Sequence, residues 1–161
     1  MTMFREVENK DLPCHLFGYI MDAEENNAFF DTMDIYFAAL GDGVAELEAP
    51  VSKMHFNTAG IVHTGMFAAL MDAAMGMAVL TKNKVASAIS TNASYLKSAG
   101  KGDVIKAEAT VTMESDTICH CICNVKNQRE ELLASGQGVF QVEIADFVQY
   151  YAAKLRENGY Q

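Results

Sequence analysis

The chain has 161 residues, of which half are hydrophobic and a fifth are charged, and its net charge is −9. This length allows one domain with a substantial core, and the composition excludes a disordered or membrane-embedded chain. The 12 basic residues are too few and too scattered to indicate nucleic acid or an anionic membrane as a partner. We expect a single domain over residues 1–161, with its core in residues 35–143 and helical extensions at both ends.

The N-terminal residues carry acidic side chains early and lack the apolar segment of a secretory signal. The one long apolar stretch, residues 66–80, is shorter than the ~20 residues needed to span a bilayer, and it contains Asp72. These features predict a cytoplasmic protein.

Cysteine spacing agrees with that compartment. Cys119, Cys121 and Cys123 alternate along one stretch, and Cys14 stands alone. On a strand, alternate side chains lie ~6.6 Å apart and point in parallel, which is poor geometry for a disulfide. His120 would point to the opposite face from the sulfurs, so no metal site is predicted and the cysteines are interpreted as reduced core residues.

The first half of the chain predicts two helices and a strand pair. Residues 24–34 have the pattern of a short amphipathic helix, and strands at 35–40 and 44–51 flank the turn Gly41-Asp42-Gly43. Residues 65–80, rich in Ala and Met, predict a helix that is hydrophobic almost all round and therefore buried.

The second half predicts strands at 85–96, 104–114, 118–126 and 132–144, followed by a helix at 145–157. Consecutive strands joined by short turns favour an antiparallel sheet. A single apolar helix is covered only if such a sheet curls round it. The predicted fold class is therefore α+β, with a curved antiparallel sheet wrapped round one long buried helix.

Asp72 is the residue most indicative of chemistry. It lies midway along the apolar helix, and its neighbours at three and four residues' distance are uncharged. Desolvation should raise its pKa above the model-peptide value of ~3.9, towards the range useful for a general base. The alternative is that Asp72 caps a neighbouring loop.

The start of the same helix, at Thr64 and Gly65, should present free N–H groups suited to a polarised carbonyl or an oxyanion. Thr64 could instead serve only as the helix N-cap. Thr64 and Asp72 are eight residues apart, about 12 Å along a helix, so one small reacting group cannot touch both. If both act in one site they come from different copies of the chain, which predicts a dimer with shared active sites.

The order of Asn57, His63-Thr64-Gly65 and Asp72 resembles the signature of the PaaI-like hot-dog thioesterases, in which a loop Asn, a His-Gly-Gly turn and a helix acid recur. The resemblance covers roughly residues 35–143 and implies the hot-dog fold. It also implies hydrolysis of an acyl- or aroyl-CoA thioester by a homodimer or a dimer of dimers. No cofactor is expected beyond the CoA of the substrate.

The resemblance also assigns roles. Asp72 would act as nucleophile or as base for water, Asn57 would orient the water or the acyl carbonyl, and the Thr64 N–H would polarise that carbonyl. His63 and Gly65 would shape the turn. The substrate-binding residues that the resemblance implies lie in the strand that lines the pocket; they are Ser90, Thr91 and Asn92.

Two positions depart from the family pattern. Thr64 stands where the family has Gly, and a β-branched residue disfavours positive φ. The hydroxyl common early in the pocket strand is replaced by Ala88, flanked by Ser87 and Ser90.

Two other functions stay open. A non-catalytic acyl-CoA binder is favoured by Thr64, and a hydratase or dehydratase by the pair of His55 and Asp72. The cations available for the CoA phosphates near strand ends are Lys97, Lys101, Lys126 and Arg129, none of which stands out from an ordinary turn residue.

Overall fold

In the computed structural model, which describes residues 6–25 and 27–157, the chain forms a seven-stranded sheet and four α-helices. The helices are α1 (Cys14–Glu24), α2 (Ala28–Met33), α3 (Thr64–Leu80) and α4 (Phe147–Glu157). The strands are β1 (Glu8–Lys10), β2 (Tyr36–Gly41), β3 (Val44–Pro50), β4 (Val85–Tyr95), β5 (Val104–Glu114), β6 (Ile118–Asn127) and β7 (Leu132–Ile144).

The sheet has the strand order β1-β2-β3-β5-β6-β7-β4. Every neighbouring pair is antiparallel except β1 and β2, which are parallel. Helix α3 packs against β3, β4, β5, β6 and β7. The predicted fold class is confirmed: one long helix lies against a largely antiparallel sheet, which is not closed into a barrel. Strand β4, which follows α3 in the chain, lies at one edge of this sheet.

The N-terminal region differs from the prediction. The short helix expected at 24–34 is present as α2, but its predicted start is wrong, because α1 ends at Glu24 and α2 begins only at Ala28. The side-chain oxygen of Asn27 accepts hydrogen bonds from the N–H groups of Phe29 and Phe30, which starts a new helix at that point. Helix α1 and strand β1 were not predicted; β1 pairs in parallel with a strand about 30 residues away, which local sequence does not encode.

Helix α3 supplies much of the core, but it is not covered all round. Its buried side includes Phe67, Leu70, Met71, Ala74 and Met75, each at most 2% exposed. Its opposite side, called here the open face, is exposed or half-buried and consists of Gly65, Ala68, Ala69, Asp72, Ala73 and Gly76. The predicted burial therefore applies to the side of α3 that faces the sheet, whereas the open face is uncovered in the single chain. No helix in residues 6–25 or 27–157 has the length and apolarity to cross a membrane.

The alternating cysteines lie where the pattern predicts. Cys119, Cys121 and Cys123 are buried in the core on β6, and burial raises the pKa of the thiols of Cys121 and Cys123 to about 12. The His120 ring points away from them and its Nδ1 lies 2.7 Å from the hydroxyl oxygen of Thr112. The sulfurs therefore stay protonated and act as packing groups.

Two glycines on β7, Gly136 and Gly138, allow α3 to approach the sheet closely. A Cβ added at Gly136 would lie 2.8 Å from the backbone oxygen of Asn92 and 3.1 Å from the sulfur of Met71. We expect Gly136→Ala to lower the free energy of unfolding by about 1–3 kcal/mol, because the backbone oxygen cannot move without disturbing the pairing of β4 with β7. Urea denaturation measures this change. Gly100→Ala is the matched control, since an added Cβ there meets nothing within 4 Å; equal stability of the two variants would contradict the prediction.

Candidate active site

Asn57 holds the loop before α3 in one conformation. Its side-chain oxygen accepts hydrogen bonds from the N–H groups of Ala59 (2.9 Å) and Ile61 (3.3 Å), and its own N–H donates to the Ile61 carbonyl (2.8 Å). Gly60 has a φ of +76°, which a residue with a side chain rarely adopts. Because Oδ1 already accepts these loop hydrogen bonds, the part of the Asn57 side chain that can bind a ligand is the Nδ2 group, which would donate to it.

His63 is the N-cap of α3. Its Nδ1 accepts a hydrogen bond of 2.9 Å from the N–H of Gly65, so the neutral ring carries its proton on Nε2. A Cβ at position 65 would lie 2.9 Å from that same Nδ1. The predicted role of these two residues in shaping the turn thus has a steric basis, since the ring fits only over a glycine.

Thr64 is the first helical residue and not the N-cap, so the alternative given for it is wrong. Its φ is not positive, and the expected conflict of a β-branched residue with this turn does not arise. Among the described residues, no acceptor pairs with the Thr64 N–H. Thr64 therefore presents a free donor at the positive end of the α3 dipole.

A small cavity of about 160 Å³ brings Asn57 and Thr64 together. Its wall includes Tyr95, the last residue of β4, and Lys97, one of the four candidate cations for the CoA phosphates. The Tyr95 ring, 44% exposed, lies 6.3 Å from the ring of Phe67. Their proximity depends on the pairing of β4 with β7, and no sequence pattern indicates it.

Asp72 lies on the open face of α3, exposed to solvent in the single chain. No cation or hydrogen-bond donor within residues 6–25 and 27–157 pairs with its carboxylate. Desolvation by the surrounding protein atoms nevertheless raises the pKa of Asp72 above its ordinary value of 3.8, in the predicted direction. The carboxylate is thus partly desolvated by the helix on one side and exposed to solvent on the other.

The structure keeps the two halves of the predicted site apart within one chain. Thr64 and Asp72 lie on the same helix, about 12 Å apart along its axis. Thr64 and Asn57 line the small cavity and Asp72 does not. One chain thus supplies a polarising donor at one place and an unpaired carboxylate at another.

The three predicted substrate-binding residues of β4 do not share a face. Thr91 pairs with Gly138, on the side of the sheet that faces α3. Ser90 and Asn92 point to the outer side, where Asn92 lines a shallow groove with Ile122. Of the three, only Thr91 is on the sheet face against which α3, the helix of Asp72, packs.

His55 is a structural residue here. It is 3% exposed; its Nδ1 accepts from the N–H of Ser52 (3.2 Å) and its Nε2 lies 3.1 Å from the carbonyl oxygen of Met33. Both ring nitrogens are therefore occupied by the backbone, which leaves neither to act as a base on a substrate. This geometry does not support the hydratase alternative.

Most of the candidate cations for the CoA phosphates are paired. Lys97 contacts Glu131 at 3.3 Å, Lys126 contacts Glu108 at 2.7 Å, and Arg129 contacts Asp103 at 3.5 Å. Lys101 is an exposed turn residue. Lys97 alone among them lines the cavity that contains Thr64.

Comparison with known proteins finds similarity to thioesterases. Residues 59–134, which include the start of α3 and Asp72, match the model of the thioesterase superfamily. A protein of Archaeoglobus fulgidus, provisionally named an esterase, is 29% identical over 123 residues, covering 76% of this chain and 80% of its own length. These matches support thioesterase activity in general.

Solved structures agree on the fold. The PaaI protein of Escherichia coli, from a phenylacetic acid degradation operon, has a TM-score of 0.77 at 21% identity, covering 81% of this chain and 95% of that one. A hypothetical thioesterase of Streptococcus pneumoniae, solved with coenzyme A, has a TM-score of 0.66 at 19% identity, covering 68% of this chain and 89% of that one. The resemblance to PaaI-like hot-dog thioesterases that the sequence predicts is confirmed.

Proposed function

We propose that this chain, a PaaI-like hot-dog protein, hydrolyses an acyl- or aroyl-CoA thioester in an active site shared between two copies of the chain. The observation that carries the proposal is the separation of a free N–H at Thr64 from an unpaired carboxylate at Asp72. Thioester hydrolysis needs both a donor that polarises the carbonyl and a base or nucleophile that acts on the carbonyl carbon. Within one chain these two groups are too far apart to contact the same thioester.

Strand β4 supports pairing with a second copy. It is 11 residues long, its only strand partner in the described part of the chain is β7, and its sequence contains neither a charged residue nor a proline. Edge strands of monomers usually carry such residues to prevent association. Ile89, at 56% exposed, lies in the middle of this unprotected edge. Antiparallel pairing of β4 with β4 of a second copy is self-complementary and closes a twofold dimer.

The same twofold operation would complete the site. Two α3 helices side by side and antiparallel bring residue 64 of one chain opposite residue 72 of the other when the axis passes near residue 68. The open face has Ala68 and Ala69 at that point, and alanines allow two helices to approach closely. Thr64 of one copy then lies near Asp72 of the other, and a layer of protein covers the exposed carboxylate.

The chemistry follows from the groups so assembled. The thioester carbonyl oxygen accepts a hydrogen bond from the Thr64 N–H at the helix N-terminus, and the Nδ2 group of Asn57 is a second donor nearby. Asp72 of the other copy takes a proton from water, whose oxygen attacks the carbonyl carbon, or attacks directly as a nucleophile. The carbon–sulfur bond then breaks and the CoA thiolate takes up a proton. Attack by water gives the free acid at once, whereas direct attack leaves the acyl group on Asp72 as a mixed anhydride, which water hydrolyses to the acid and the regenerated carboxylate.

Recognition of CoA has separate support. The S. pneumoniae protein of the same fold was solved with coenzyme A. Lys97 lies on the wall of the Thr64 cavity, and its exposed ion pair with Glu131 could be exchanged for a CoA phosphate. We propose that the CoA portion of the substrate enters along this end of β4.

The test is thiol release from a panel of short-chain, long-chain and aromatic acyl-CoA thioesters, followed with a thiol reagent. Release from at least one member supports the proposal. Asn57→Asp keeps the oxygen that holds the loop but removes the Nδ2 donor, so release should fall by about 10²-fold. Binding of several thioesters without release from any would overturn hydrolysis in favour of a non-catalytic binder.

A further inference from the structure

A second cavity lies beneath α4, at the end of α3 away from Thr64. Its volume is about 290 Å³ and its lining is mainly apolar. The second half of α3 forms the floor, with Gly76, Met77 and Leu80, and α4 forms the roof, with Phe147, Tyr150 and Tyr151. The end of α1 and the first residues of β4 close the sides.

The roof is fixed in place by specific contacts. Asn83, just after α3, accepts the N–H of Phe147 with its carbonyl and the N–H of Val148 with its side chain, both at 2.8 Å. The Tyr151 hydroxyl donates to Asp22 of α1 at 2.8 Å, and its ring packs on Tyr19. Hydrogen bonds thus hold α4 against both the end of α3 and α1, so the position of the cavity's roof is determined by the fold.

The cavity begins next to the proposed catalytic carboxylate. Gly76 is four residues after Asp72, so it lies on the same face of α3, about one turn or about 6 Å further on. A Cβ added at Gly76 would meet no atom within 4 Å. The space over Gly76 is therefore unfilled in the single chain, and Gly76 itself lines the cavity under α4.

We propose that the space under α4 receives the acyl group of the thioester, with Gly76 as its entrance and Tyr150 as its outer wall. This inference rests on the proposed function. The acyl carbonyl would lie at Asp72 and the apolar tail would extend past Gly76. A cavity of ~150 Å³ holds one benzene ring, so about 290 Å³ suits a medium-sized apolar group, a ring with a short spacer or a chain of similar bulk.

The experiment compares octanoyl-CoA with acetyl-CoA in both hydrolysis and binding. Gly76→Leu fills the entrance, so the ratio of kcat/KM for octanoyl-CoA to that for acetyl-CoA should fall at least about tenfold. The affinity for octanoyl-CoA relative to acetyl-CoA should fall in parallel. Gly18→Leu makes the same change on exposed α1, away from the cavity, and should keep the wild-type ratio.

A second variant tests the other wall. Tyr150 is 45% exposed on α4, so Tyr150→Ala removes the outer wall with little effect on the core. The preference should then move towards acyl chains longer than octanoyl. If neither variant alters the chain-length profile of an active enzyme, the acyl cavity is refuted while the thioesterase proposal stands. If the wild type releases no thiol from any thioester, the proposed function fails, and the binding ratios alone decide whether this cavity holds the acyl group.

Discussion

Replacement of Asp72 by asparagine is expected to lower kcat for thiol release by about 10²–10⁴-fold, because the variant can neither take a proton from water nor attack the thioester. Asparagine has nearly the same shape, so substrate binding should persist. In the wild type, kcat/KM should rise with pH through an apparent pKa above 3.8, since only the ionised carboxylate is active and its pKa is raised. Steady-state thiol release at several pH values measures both effects. Asp116→Asn, an exposed carboxylate in the turn before β6, is the matched control and should resemble the wild type.

The same variant has a predicted effect on stability that separates catalysis from folding. A carboxyl whose pKa is higher in the folded state destabilises the fold once it is ionised, and this cost disappears as the pH falls below the unfolded value. Asp72→Asn never ionises. Its Tm should therefore exceed that of the wild type at neutral pH, with a difference that shrinks towards pH 3. An inactive variant with a lower Tm at pH 7 would indicate misfolding and would count against the assigned role.

Replacement of Thr64 by proline should remove the polarising N–H without removing the helix. Proline is favoured at the first helical position, and His63 already has φ −63° and ψ 135°, which suit a residue before proline. We expect kcat to fall by about 10²–10³-fold, the typical loss of one oxyanion donor. Thr64→Ala keeps the N–H and should retain most of the activity. Comparable activity of the proline and alanine variants would show that this N–H does not contact the reacting carbonyl.

If the active site is shared between two chains, the proline variant should be complemented by the Asp72→Asn variant in mixed dimers. When Thr64→Pro and Asp72→Asn chains are refolded together in equal amounts, half of the dimers should be mixed. Each mixed dimer holds one site with both native residues and one with neither, so about a quarter of the wild-type activity should return. If Thr64 and Asp72 acted within one chain, mixing two inactive variants would restore nothing.

The sequence alone determined the main elements of this fold. The alternation in residues 104–114 predicted β5, and the Ala- and Met-rich run predicted α3 to within one residue of its observed start. These signals are local, because a strand or helix that faces a core must repeat its apolar residues with its own period. The order of Asn57, His63 and Asp72 likewise sufficed to identify the family resemblance.

The tertiary structure decided which surfaces are covered. Helix α3 is apolar on almost every side, so its composition did not reveal that one face stays open and that Asp72 is exposed there. The sequence of strand β4 likewise did not indicate which of Ser90, Thr91 and Asn92 face the helix. That depends on its register with β7, and a shift of one residue exchanges the two faces.

Contacts between distant segments were beyond the reach of local patterns. The parallel pairing of β1 with β2 joins segments far apart in the chain, and so does the hydrogen bond of Tyr151 to Asp22. The capping of α3 by His63 required the position of an imidazole ring relative to Gly65. Sequence periodicity thus determined the elements and the order of the chemical groups, whereas packing determined which groups meet, since contact depends on three-dimensional neighbours that the local pattern does not contain.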